Sequence, residues 1–166
     1  MSTHLAYDDV TQLSRERQAP APDGRQGIRA SFRRTEDRQF IMMEAAYLRT
    51  GGLVSGDEAA RILRRHSSQP ISQLARWIVE RAIVSFYWNS RTLVPLFQFD
   101  RSDMSMRAGT SAVVRELHDV FDDWDLATWF AQPNSWLNDA APVDAIEHDQ
   151  PGVVEAARAD RFIARG

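Results

Sequence analysis

Arg158, Arg161 and Arg165 recur at i, i+3 and i+7, which places three guanidinium groups on one face of a helix. Such a strip can meet an acidic or phosphate-bearing pocket on a partner, because the planar guanidinium fork matches carboxylate and phosphate geometry. The same cations also interact favourably with a helix C-terminal dipole, and the spacing leaves both accounts open. A second group lies earlier in the chain. With Ile71, Leu74, Ala75 and Ile78 turned inward on an expected helix, Ser72, Gln73 and Arg76 point outward. Gln pairs with adenine and Arg with guanine in the major groove, and Arg64, Arg65 and Arg91 are placed to meet phosphates. The charge behind this reading is thin. Segment 55–91 holds six Arg against three acids, and Glu80 repels phosphate.

Other chemistry finds little support. Asp119, Asp122, Asp123 and Asp125 lack the glycine and the later Glu of a calcium loop, and capping a helix accounts for them better. His4, His66, His118 and His148 are far apart and show no metal-ligand pairing. No H-E-x-x-H, G-x-S-x-G, phosphate-loop or dinucleotide pattern occurs. The chain has no cysteine, which excludes disulfides, thiolate zinc sites and thiol catalysis. No cofactor or metal is therefore expected, and an enzyme is not the expectation. All 20 basic residues are Arg. Codon bias and a preference for bidentate contacts both account for that.

The elements that must position these residues are mostly helical. Residues 1–35 mix charge, Pro and Gly without periodicity and read as a tail. Phe40, Met43 and Tyr47 form one apolar stripe over 36–49, closed by Gly51 and Gly52. Ser55-Gly56-Asp57-Glu58 has capping-box form and opens a helix of about 56–65. A second helix spans about 70–80. Strands near 83–88 and 92–98 flank Asn89-Ser90 and make a hairpin, with Pro95 forcing an edge or an end. Helix–turn–helix followed by hairpin is a winged-helix-like plan, and VSGDEAARILRR resembles the first helix of excisionase- and MerR-like modules.

Val113, Leu117 and Val120 then recur at helical spacing. Asp122 or Asp123 caps a helix that Pro133 stops, and Pro142 and Pro151 each sit where a first helical residue is expected, for helices over 142–147 and 151–164. The expected fold is mainly α with one β-hairpin: a tail over 1–35, a helix–turn–helix and wing-like part over 36–100, and a small helical domain over 108–166.

Charge is uneven across these parts. Residues 51–100 carry six Arg and four acids, a balance of +2; residues 101–166 carry six Arg and twelve acids, a balance of −6. The acidic half suits protein contact better than DNA. The chain of 166 residues fits one domain or two small ones. No apolar run approaches the ~20 residues that cross a bilayer, and the first residues lack a signal-peptide pattern. A cytoplasmic protein with no membrane contact is expected.

Residues 113–164 carry a longer-range pattern: Trp129-Phe130, then Pro133-Asn134, Leu137, and Pro142-Val143-Asp144 before a further helix. This run resembles the toxin-binding domain of the Xre/MbcA/ParS-like bacterial antitoxins. The family often has Gly between the Leu and the Pro; here Asn138-Asp139-Ala140 stands there, and Asn and Asp can adopt positive φ. Typical members carry an Xre-like helix–turn–helix upstream, and this chain adds a hairpin to it. The resemblance implies an antitoxin that blocks a RES-domain, NAD-consuming toxin and represses its own operon. It also implies that the C-terminal element faces the toxin, with Arg158, Arg161 and Arg165 on the contact face and Phe162 as apolar anchor. Deleting residues 158–166 would then leave the fold nearly intact. The alternative is a stand-alone DNA-binding regulator whose helical domain dimerises; a homodimer is expected in either case.

Overall fold

A computed structural model describes residues 24–166, so His4 and most of the expected tail lie outside the described residues. Two compact units divide the chain, Met1–Thr35 and Glu36–Gly166. The expected tail is corrected within its described part: residues 24–35 belong to helix α1, which runs Gly24–Leu48. The periodicity argument starts only where apolar residues recur often, at Phe40. A polar helix carries no such signal.

Strand β1 (Leu53–Ser55) leads into α2 (Gly56–Leu63) and α3 (Pro70–Val79), followed by β2 (Phe86–Trp88) and β3 (Arg91–Pro95). The mainly helical fold with a hairpin stands, and the hairpin gains a third strand. The antiparallel sheet has order β1-β3-β2, with Val54 opposite Val94 and Trp88 opposite Arg91. The two-residue turn takes positive φ at both Asn89 (46°) and Ser90 (63°), which suits the twist of the strands. Strand β3 is central rather than an edge, and it ends at Pro95, beyond which the Leu96 amide still donates to the Gly52 carbonyl at 3.0 Å.

Ser55 caps α2 as expected, its Oγ accepting from the Glu58 amide at 3.2 Å, but the reciprocal half of the capping box is not made, because the Glu58 carboxylate pairs with Arg61. The inward stripe of α3 differs. Leu74 and Trp77 are buried, whereas Ile71 is 68% exposed and Ala75 is exposed. Over ten residues two stripes compete, and the one holding Trp77 buries more apolar area. The Trp77 ring stacks on Phe99 with centroids 5.8 Å apart. Ile71, Ala75 and Ile78 consequently line an open groove of about 500 Å³ against Ala60 and the hairpin turn.

Helices α4 (Ala108–Leu117), α5 (Asp123–Ala131), α6 (Pro142–Ala145) and α7 (Gln150–Arg165) complete the second unit. Asp122 caps α5 by accepting from the Asp125 amide at 2.8 Å, and Asp149 caps α7 through the Gly152 amide at 2.9 Å. One core joins the end of α1, the sheet and these helices: Met43, Tyr47, Phe86 and Phe97 pack with Leu117, Phe130, Val143 and Val153. A second core holds α2 and α3 against the sheet through Ala59, Leu63, Leu74 and Phe99. Residues expected in two parts on either side of about 100–108 thus share a core.

Candidate partner-binding site

The residues of the C-terminal motif converge on one carboxylate. Asp160, in α7, accepts from Trp129 Nε1 at 2.7 Å and Asn134 Nδ2 at 2.8 Å through Oδ2, and from Trp136 Nε1 at 3.2 Å through Oδ1. Trp129 reaches it from α5, where the indole packs edge-on against buried Phe130 with centroids 5.1 Å apart. Pro133 ends α5 and delivers Asn134, which is buried and organises the following turn. Asn134 Oδ1 accepts from the Trp136 amide at 2.9 Å, while its backbone carbonyl accepts from Leu137 and Asp139. The turn closes with Asn138 at φ 54° and Asp139 at φ 63°, so the positive-φ geometry expected where the family has Gly is present.

Asp160 escaped the sequence reading because a single acid in a helix reads as solvated surface. The one available signal was its spacing: three donors far upstream need an acceptor, and a carboxylate can take several.

Helix α7 is anchored along its length. Val153, Ala156 and Ala157 are buried against the core. The three arginines fold back onto α4 and the turn beyond it. Arg158 Nε donates to Glu116 Oε1 at 3.1 Å, Arg161 donates to Glu116 Oε2 at 2.8 Å, and Arg165 lies 3.9 Å from Asp119. Arg158 also meets Glu155 at 2.5 Å. Hydrogen bonds from Arg158 and Arg161 hold the Glu116 carboxyl below its ordinary range. The strip therefore has carboxylate partners inside its own chain.

What α7 leaves uncovered is apolar. Phe162 is 79% exposed and Ile163 65%, and Trp136, held through its N–H by Asp160, is 59% exposed. Ile163 lies three residues beyond Asp160, on the same side of α7, whereas Phe162, two residues on, points away from it. Trp is among the residue types enriched at interface hot spots.

The other expected positions are separate from this one. Ser72 and Arg76 are exposed on α3 and Gln73 is half-buried; with Ser67, Ser68 and Gln69 they line a polar hollow at the start of that helix. Arg64, Arg65 and Arg91 are exposed, and none of these arginines has a carboxylate within 4 Å among the described residues. Of the acidic cluster, Asp122 caps α5, Asp123 pairs with Arg81 at 2.8 Å and Asp119 with His118 at 2.9 Å. Among the described residues no group of three or more His, Asp or Glu is placed to hold a metal ion, and no helix is long and apolar enough to cross a membrane. No family model, curated protein or solved structure matches the chain.

Proposed function

We propose that the chain is the antitoxin of a type II toxin–antitoxin pair, that its C-terminal surface blocks a RES-domain, NAD-consuming toxin, and that it represses its own operon. The observation that carries the reading is the Asp160 node. Trp129 and Asn134, both motif residues, meet Trp136 on one carboxylate, and the helix carrying that carboxylate ends in an apolar surface with no cover within the described residues. Trp136, Phe162 and Ile163 are large, apolar and exposed, and Trp in particular is enriched at interface hot spots. Phe162 makes the central contact in this account. Arg158, Arg161 and Arg165 fix α7 on α4 and frame the contact at its rim. That division also suits the partner, since a pocket that holds a pyrophosphate presents its own cations and repels arginine.

A growth assay with the RES-domain protein encoded beside this gene tests the reading. Co-expression of the wild-type chain restores growth, and Phe162→Ala with Trp136→Ala abolishes rescue while the protein stays folded. Absence of any such reading frame, or undiminished rescue by the double variant, counts against it.

The stand-alone regulator is supported by a different observation: Arg64, Arg65, Arg76 and Arg91 stand exposed without carboxylate partners around the α2–α3 pair and its hairpin. Arg76→Ala should lose sequence preference, whereas Arg64→Ala and Arg65→Ala should weaken binding to all sequences. No gel retardation by the native upstream region at low salt removes this reading.

A further inference from the structure

The described part of the first unit is a helix of one charge sign. Residues 24–35 carry Arg25, Arg29, Arg33 and Arg34 and no acid. Arg25, Arg29 and Arg33 recur at i, i+4 and i+8, which strings three guanidinium groups along one face at steps of about 6 Å. All four are exposed, and none has a carboxylate within 4 Å among the described residues. Five arginines of the second unit behave differently: Arg49, Arg81, Arg107, Arg158 and Arg161 each meet a carboxylate at 3.1 Å or less, whereas Arg64, Arg65, Arg76 and Arg91 do not among the described residues. Beside the cationic stripe lie Ile28, 56% exposed, and Phe32, 65% exposed, one turn apart.

From this charge pattern we infer that residues 25–34 form a duplex-DNA-binding helix, separate from the α2–α3 pair and not dependent on base reading by α3. A line of cations without internal partners calls for a polyanion. The major groove of B-DNA admits a helix, whereas the deep, narrow major groove of RNA does not. Ile28 and Phe32 then face the groove floor, where apolar side chains meet thymine methyl groups. A membrane surface fits less well, since only two large apolar side chains are available to insert. The acidic half of a second copy also fits less well, because Glu116, Asp119, Asp123, Asp144, Glu147 and Glu155 already pair with arginines of their own chain.

The test titrates the full chain against a short mixed-sequence duplex by fluorescence anisotropy across a salt series. It compares wild type with R25Q/R29Q/R33Q/R34Q, in which Gln keeps helix propensity, and with R64Q/R65Q/R76Q. Four phosphate contacts cost the wild type about 150-fold in affinity between about 50 and 200 mM salt, and their loss makes the log–log slope shallower by about 3.6. That change, with an unaltered circular dichroism spectrum, supports the inference. If R64Q/R65Q/R76Q leaves the slope as it was, the inference stands and the operator reading by α3 falls. A slope in R25Q/R29Q/R33Q/R34Q equal to wild type overturns the inference. So does absence of duplex binding at low salt, whether the wild type instead binds phosphatidylserine vesicles or instead self-associates in a way the quadruple variant loses.

Discussion

The Trp129 indole N–H donates to Asp160 Oδ2 at 2.7 Å, across 31 residues of sequence and between two different helices. That bond, with those from Asn134 and Trp136 to the same carboxylate, converts a sequence motif into a mechanical joint. The orientation of α7 and the presentation of Trp136 both depend on it. Hydrogen bonds to an ionised group are the stronger kind. Asp160→Ala is therefore expected to cost about 1.5–3 kcal/mol and to shift tryptophan emission to the red. Asp160→Asn, which retains an acceptor, should recover part of the loss. A urea midpoint unchanged in Asp160→Ala would show that the joint contributes nothing.

The two tryptophans on that joint should separate in their effects. Trp129 is half-buried against Phe130, and Trp129→Ala should destabilise by about 2–4 kcal/mol through the cavity it leaves. Trp136 is mostly exposed, and Trp136→Ala should stay within about 1 kcal/mol while losing partner binding. Thermal melts of the pair check this; equal losses in both would place Trp136 in the core.

Tyr47 ties α1 to α5 inside the protein. Its hydroxyl donates to the Ala127 carbonyl at 2.6 Å, and burial pushes its pKa up, which keeps the phenol protonated as a donor. Tyr47→Phe removes that bond without changing the packing, for an expected loss of about 0.5–1.5 kcal/mol. Chemical denaturation with an unchanged midpoint would contradict it.

Glu116 gives the C-terminal part a pH dependence of known sign. Its folded pKa is depressed by Arg158 and Arg161, so the unfolded state binds protons more readily as pH falls. The stabilisation is fully present above the ordinary Glu range near about 4.3 and is lost below it, as pH falls through the folded pKa. Glu116→Gln should flatten the acid limb of stability against pH and leave the neutral-to-alkaline limb's shape alone. An unaltered acid limb would mean that the ion pairs are loose in solution.

Much of the architecture was legible in local chemistry. The Ser55 cap, the Asn89-Ser90 turn, the stop at Pro133, the helix start at Pro142 and, one residue early at Gln150, that of α7 are each set by one or two residues. The failures share a cause, which is tertiary context. Strand β1 is three residues long and gains its identity only by pairing with β3. The inward face of α3 was decided by Trp77 meeting Phe99, a partner 22 residues away. The helix over 24–35 carries little apolar periodicity to read. At the candidate site, the arginine spacing was legible and Phe162 was named through the family resemblance, whereas Asp160 and the pairing of the arginines with Glu116 needed the three-dimensional arrangement.

That arrangement also revises where the tail can be cut. Removing residues 158–166 takes away Asp160 and the Glu116 pairs, so the expectation of a nearly intact fold is corrected. Removing only 162–166 spares both. Stability should fall by about 2 kcal/mol or more in the longer deletion and remain close to wild type in the shorter one. Equal melting curves would show that α7 does not hold the domain together.

The most direct test of the central claim is neutralisation by the shorter truncation. Cells expressing the RES-domain toxin proposed as partner, together with the chain ending at Arg161, would be followed for growth and NAD content. The account predicts a folded, soluble protein that fails to restore either, because Phe162 and Ile163 are gone while the Asp160 joint remains. Full restoration of growth and NAD by that truncated chain would contradict it.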